Sequence, residues 1–227
     1  MKKLAISAIA LLSLTNSASA EIEISVYTGW QGVQDSSASG NLPDGTPFDT
    51  NIDWRGRPFD APYHYGGRVI WWTDNNIGFG IEGTHSKAIA PDGEAAAIGL
   101  ARFELSDGHN VFTANVMKRW PGAFKGTRFT PYIGGGVGVA VPHVDAVVTG
   151  ASNRTFGFET TGFAVRGLAG IKYDLSEKWA LFGEYQFTWS DNDITIEGDP
   201  LVPGQTDGQF DTNLTTHAIN LGVSFSF

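Results

Sequence analysis

The chain closes with Thr215-Thr216-His217-Ala218-Ile219-Asn220-Leu221-Gly222-Val223-Ser224-Phe225-Ser226-Phe227. Ile219, Leu221, Val223, Phe225 and Phe227 share one face, and Asn220, Gly222, Ser224 and Ser226 share the other. A period of two with bulky apolar residues on one side suits a strand with lipid outside and a polar lumen inside. No stretch beyond the amino terminus is apolar for long enough to form a transmembrane helix, for which roughly 20 residues are needed. A membrane chain without such helices has to be a closed barrel, because lipid cannot satisfy open backbone groups.

The amino terminus agrees with export. Lys2 and Lys3 precede an apolar run from Leu4 to Leu14, and Ala18-Ser19-Ala20 reads as a cleavage site. Residues 1–20 are expected to be a secretory signal peptide, leaving 21–227 as one barrel domain. Without Lys2 and Lys3, thirteen basic residues stand against 24 acidic ones, a formal charge of −11 that argues against a nucleic-acid partner. The absence of cysteine excludes a disulfide framework and thiol chemistry. The carboxyl-terminal strand resembles the signal by which the barrel assembly machinery recognises its clients.

Alternation outward from the last strand gives eight strands. They are expected near residues 21–30, 63–72, 77–86, 110–118, 130–141, 162–173, 179–190 and 215–227. Connections alternate long and short, and outer-membrane barrels have short periplasmic turns and long extracellular loops. The expectation is an all-β, eight-stranded antiparallel transmembrane β-barrel in the outer membrane, with long extracellular loops, short periplasmic turns and both termini periplasmic. A soluble eight-stranded barrel would instead place apolar residues inside and polar ones outside. Tyr63, Tyr65, Trp71, Trp179 and Trp189 near strand ends on the outward face favour the membrane form.

Eight strands enclose a space that side chains fill, so a diffusion pore is not expected. The inward phase carries Arg68, Glu82, Arg166 and Glu184, whose charges should pair as a structural network rather than act as a luminal active site. All five histidines fall near the expected extracellular strand ends. His64 and His109 follow the inward phase, His85 and His143 the outward one, and Pro142 is a candidate bulge that would reset the phase before His143. Imidazoles beside Asp60, Glu104, Asp107 and Asp145 suit a divalent transition metal, although their spacing matches no recognised metal motif. Histidine is also at home at a membrane interface. His85 and Ser86 are adjacent and therefore point to opposite faces, a poor nucleophile–base pair. The acidic stretch from Asp191 to Asp211 matches no calcium loop.

Thr130-Pro131-Tyr132-Ile133-Gly134-Gly135-Gly136-Val137-Gly138 resembles the fifth strand of OmpA-like small barrels. Pro142-His143-Val144, Phe103-Glu104 with Asp107-Gly108, Thr84-His85, Phe182-Gly183-Glu184-Tyr185, Trp71-Trp72 and Asn220-Leu221-Gly222-Val223-Ser224-Phe225 are together similar to the lipid A oxidases of rhizobial-type bacteria. That resemblance implies an outer-membrane enzyme that converts the proximal glucosamine of lipid A, within lipopolysaccharide, to 2-aminogluconate. It would use molecular oxygen, release peroxide and depend on a divalent metal cation. Under it His85, His143 and His64 are the metal-ligand candidates, and Glu104 and Glu184 the carboxylate or base candidates. The competing expectation is a non-enzymatic OmpA-like barrel that stiffens the membrane or presents a surface.

Overall fold

The computed structural model describes residues 21–227, so the expected signal peptide lies outside the described residues. Eleven strands and one short helix follow in chain order. The ring consists of β1 (Glu21–Val33), β4 (Tyr65–Trp72), β5 (Ile77–Ile89), β6 (Leu100–Arg119), β7 (Phe129–Val148), β9 (Gly162–Asp174), β10 (Trp179–Ile196) and β11 (Gly208–Ser226). Each is antiparallel to its neighbours, and β1 closes on β11 from Glu23 opposite Ser226 to Val33 opposite Thr216. The hairpin of β2 (Ser36–Asn41) and β3 (Pro47–Ile52) adds to the end of β11, and β8 (Thr155–Phe158) adds to β7. Glu21 and Phe227, the two ends of the described residues, lie at one end of the ring, where the Phe227 amide donates to the Ile22 carbonyl. That end is called the terminal end here, and the opposite one the distal end.

Ile22, Ile24, Val26, Ile81, Ile133, Leu181 and Leu221 stand exposed on the outward face, as the alternation requires of a lipid-facing band. Of the expected long distal connections, the one between β1 and β4 spans 34–64 and carries β2 and β3, and the others are shorter than expected. Most of those residues extend the strands: β6 begins ten residues before Asn110, and β11 seven before Thr215. The connection between β5 and β6 is little more than the turn of helix α1 (Asp92–Ala97), and that between β10 and β11 spans only 197–207.

The extension was hidden because the same strands reverse polarity. Along β11, Phe210 and Leu214 point inward and Asp211 and Asn213 outward; along β10, Ile194 and Ile196 point inward and Asp191 and Asp193 outward. The distal third is thus built like a soluble barrel. Its core gathers Ile52, Trp54, Leu100, Phe103, Leu105, Ile194, Phe210 and Leu214, with Phe103 and Phe210 stacked 4.0 Å apart. It caps the lumen with close-packed apolar side chains.

Below that cap a charged layer crosses the lumen, followed toward the terminal end by a second apolar cluster that includes Ile70, Trp72, Met117 and Leu168. Arg68 meets Glu184 at 2.6 Å and Glu82 at 4.0 Å, while Arg166 lies 3.4 Å from Glu82. Asn115 and Gln186 donate to Glu82 at 2.6 and 2.7 Å, the Tyr27 hydroxyl also donates to it, and Tyr132 donates to Glu184 at 2.9 Å. Nearer the terminal end Lys172 pairs with Glu23 at 2.9 Å. Removing one member strands another charge where no water can replace it. Arg68→Met is therefore expected to destabilise the barrel by about 3–5 kcal/mol, read from urea-driven unfolding in lipid vesicles, and adding Glu184→Gln should recover much of the loss. A single variant as stable as the wild type would show that these charges do not hold the lumen together.

The reversed wall carries one unfavourable pair, Asp193 opposite Asp211. Partial burial and then the Asp193 carboxylate push the Asp211 carboxyl above its ordinary range. An acid with a raised folded pKa weakens the fold when it ionises, and this cost fades as pH falls through that pKa. Asp211→Asn should raise the thermal midpoint at pH 7, with the gain vanishing at acid pH; a gain independent of pH would contradict the repulsion.

Candidate functional site

The histidines do not form one cluster. His64, just ahead of β4, turns inward: its Nδ1 contacts the His85 carbonyl at 3.0 Å and its Nε2 contacts Asn220 Oδ1 at 2.9 Å. His109, inside β6, also faces the interior, with Nε2 3.0 Å from Ser190 Oγ. Ser190 is fully buried and His109 is 1% exposed, so this serine–histidine contact packs the base of the apolar cap and no substrate reaches it. His217 lies within β11 on the outward face, beside Tyr185 OH at 2.6 Å and Gln34 Nε2 at 2.8 Å.

His85 and His143 both face outward, on β5 and β7, with β6 between them. His85 sits at the top of the lipid-facing phase of β5, two residues beyond Gly83 and four beyond Ile81. Its ring stacks on Tyr65 at 4.9 Å and 13°, and its Nδ1 contacts Asn110 Oδ1 at 3.1 Å. Its Nε2 is buried and, among the described residues, has no hydrogen-bond partner. His143 packs edge-on against Phe156 and Phe158 of β8, at 4.4 and 4.7 Å. Its Nδ1 lies 3.6 Å from Asp107, whose charge also acts on His85.

A bulge assembles this arrangement. Between Glu104, opposite Asp145, and His109, opposite Pro142, β6 carries two more residues than β7. The irregularity expected at Pro142 therefore lies on the neighbouring strand, in the segment from Leu105 to Gly108. It brings Asp107 toward His143 and lays Gly108 against His85. Gly108 has φ +129°, and a Cβ there would lie 2.6 Å from His85 Nδ1 and 2.7 Å from Asn110 Oδ1. Neighbouring strands are only about 4.8 Å apart, so the two imidazoles belong to one band of the outer wall.

The carboxylate candidates divide between the two sides of that wall. Glu184 is buried in the lumen against Arg68 and cannot join the outward histidines. Glu104 faces outward higher on β6, where Arg102 holds it; Arg102 also meets Asp145 at 2.7 Å, and Arg154 clasps Asp145 at 2.5 and 2.6 Å. Asp107 is the carboxylate placed with the imidazoles, and the sequence offered it only as one of four acids beside them. Its cue was the Asp107-Gly108 pair. Among the described residues no three His, Asp or Glu side chains are gathered closely enough to hold a metal ion. With His64 and Glu184 turned inward, the expected ligand set does not fit a resident metal.

A closed eight-stranded ring with an apolar outer band and a charged, capped lumen defines a small outer-membrane β-barrel. The family model for the outer membrane protein beta-barrel domain matches residues 4–227, and the chain belongs to that family. Among solved structures the chain is similar to the outer membrane protein OprG from Pseudomonas aeruginosa, with TM-score 0.56 and 18% identity over 92% of this chain and 97% of that one. Neisserial surface protein A gives TM-score 0.47 and 11% identity over 91% and 97%. The outer membrane protease OmpT from Escherichia coli gives 0.33 and 9% over 95% and 99%. At 18% identity the likeness to OprG is one of fold. No curated protein matches the chain by sequence.

Gly108→Ala tests the bulge. The new methyl group strains a positive-φ position and displaces His85, for an expected cost of about 1–3 kcal/mol. The His85 imidazole resonances in micelle NMR should move while those of His217 stay. Unmoved His85 resonances would show that the bulge does not position the ring.

Proposed function

We propose that the protein is an outer-membrane lipid A oxidase, which converts the proximal glucosamine of lipid A to 2-aminogluconate with molecular oxygen. The observation that carries this reading is the outward-facing His85, buried at the upper edge of the apolar band with an unpartnered Nε2. A polar side chain held on the lipid side of a barrel is costly unless something there uses it. In this reading the distal end faces the outside, both termini are periplasmic, and the head group of an outer-leaflet lipid lies level with His85 and His143. The barrel assembly machinery is the biogenesis partner that the final strand calls for.

The chemistry asks for a base at the anomeric hydroxyl. His85 Nε2 is the atom for that role, with Asn110 fixing the ring through Nδ1. Tyr65, more than half exposed, is the side chain that has to swing aside for a sugar to reach Nε2. His143, oriented by Asp107 and the two phenylalanines, would bind the sugar hydroxyls. Dioxygen takes two electrons and two protons from the anomeric carbon and its hydroxyl, leaving a lactone and peroxide. Water then opens the lactone, for a net gain of one oxygen atom. The resemblance also calls for a divalent cation; since the residues present make no ready site, no step is assigned to one.

The capped, ion-paired interior favours a second reading, a structural barrel whose outward histidines only anchor it at the interface. Mass spectrometry of lipid A from aerated cells separates the two. The oxidase reading expects a species one oxygen atom heavier on the proximal sugar, absent without the gene. His85→Gln should reduce it at least a hundredfold and His143→Gln at least tenfold, with both barrels folded. Unchanged lipid A beside folded protein and 1-dephosphorylated substrate would leave the structural reading; full oxidation by His85→Gln would remove His85 as the base.

A further inference from the structure

Above His85, at the edge where the segment after β3 meets β5, two arginines stand out on a wall that elsewhere carries the acids of β10 and β11. After β3 the chain returns along β5, and Arg55 joins Ile89 as an added rung: the Arg55 amide donates to the Ile89 carbonyl at 2.9 Å and the reverse bond is 3.1 Å. Two residues on, Arg57 adopts φ +39°, a left-handed backbone uncommon for a long side chain. A turn secures it, with the Asp60 amide donating to the Arg57 carbonyl at 3.2 Å. The Arg55 and Arg57 side chains are exposed, and among the described residues no carboxylate pairs with them. Lys87, buried beneath them, donates from Nζ to the Asp60 carbonyl at 2.6 Å; the Asp60 carboxylate attracts its charge and Arg57, more weakly, repels it.

These arginines open onto a cavity of about 560 Å³, whose far wall is Phe103, Arg102 and Glu104 and whose rim includes Asp92. Glu104 is committed to Arg102, and Arg102 also to Asp145. Asp92, exposed at the rim, is the remaining acid of the lining and cannot neutralise both arginines. Among the lining residues Arg55, Arg57 and Arg102 face Asp92 and Glu104, a formal charge of +1 around a concavity of ligand size. Planar guanidinium groups match the paired oxygens of a phosphate or carboxylate.

We propose that this cavity binds an anionic saccharide substituent, phosphate or uronate, on a lipopolysaccharide in the surrounding leaflet, through Arg55 and Arg57. The proposal rests on the reading that the distal end faces the outside, but it requires no oxidation. The lipid's sugars would run up the wall past His85 and place a charged group about four strand positions higher, beside Ile89. That distance is about 13 Å at 3.3 Å per residue.

The test is isothermal titration of the full-length barrel in zwitterionic micelles with a lipopolysaccharide made only of lipid A and inner-core sugars. The double variant Arg55→Gln/Arg57→Asn keeps the rung, and Asn tolerates the left-handed backbone. It should bind at least tenfold more weakly and with a flatter salt dependence, whereas Arg128→Gln at the terminal end should bind like the wild type. Heat-induced gel mobility checks that each variant is folded. Double-variant binding within twofold of the wild type overturns the proposal, as does inorganic phosphate binding as tightly as the lipopolysaccharide. Dephosphorylated lipopolysaccharide separates the two anions. If the gap between wild type and variant persists, the ligand is a carboxylate; if the wild type weakens to the level of the variant, it is phosphate. Lipid A from the same cells keeps the two readings apart, since unoxidised lipid A beside intact binding removes the oxidase and leaves the cavity.

Discussion

Ring closure is the constraint on which everything else rests. In hydrocarbon an unpaired backbone amide costs several kcal/mol, so β1 has to meet β11 across the lipid band, and it does over eleven residue pairs. Closure leaves each side chain only two directions, into a narrow lumen or out into lipid. The interior is too small for water to solvate a charge, which makes the Arg68, Arg166, Glu82 and Glu184 network a consequence of the ring. The exterior accepts apolar side chains, which makes a buried outward imidazole such as His85 an exception with a cost. The candidate site is legible because the barrel makes polarity on that face expensive.

The same closure explains the distal cap. Once the strands leave the lipid band they stay hydrogen-bonded and exchange the roles of their faces. Leu214 and Phe210 point where Asn220 and Ser224 point lower on the same strand. The soluble-barrel pattern that competes with the membrane reading therefore describes part of this molecule, stacked on the part it fails to describe. Phe103, Phe210 and Trp54 fill the bore above the ionic layer, and Ile70, Trp72, Met117 and Leu168 pack below it.

Eight strands, their order and the inward charges could be read from the sequence because period-two alternation with a fixed polarity is a strong local signal. The extensions of β6, β10 and β11 could not, since a scan for one polarity stops where the polarity flips near Ser190 and Thr216. The phases of His64 and His85 follow from counting along one strand. The partnership of Asp107 with His143 does not, because it depends on two extra residues in β6, and a bulge has no signature beyond the glycine at position 108. Arg55 escaped for a related reason. It belongs to no strand by pattern and reaches the wall through a single backbone rung, which only the folded chain reveals.

The unbroken hairpin of β10 and β11 has a consequence for how the molecule meets its surroundings. Loops can change length, splay or be trimmed, and so offer a moving target. Here the ladder continues from Trp179 opposite Phe225 up to Ile196 opposite Gly208, and the distal surface is a fixed lattice of side chains at strand spacing. Its chemistry can be altered one outward residue at a time, as at Asp193 or Asn213, without altering its shape. A ligand or antibody that recognises the contour would keep its footing through such changes, while one that reads charge would lose it.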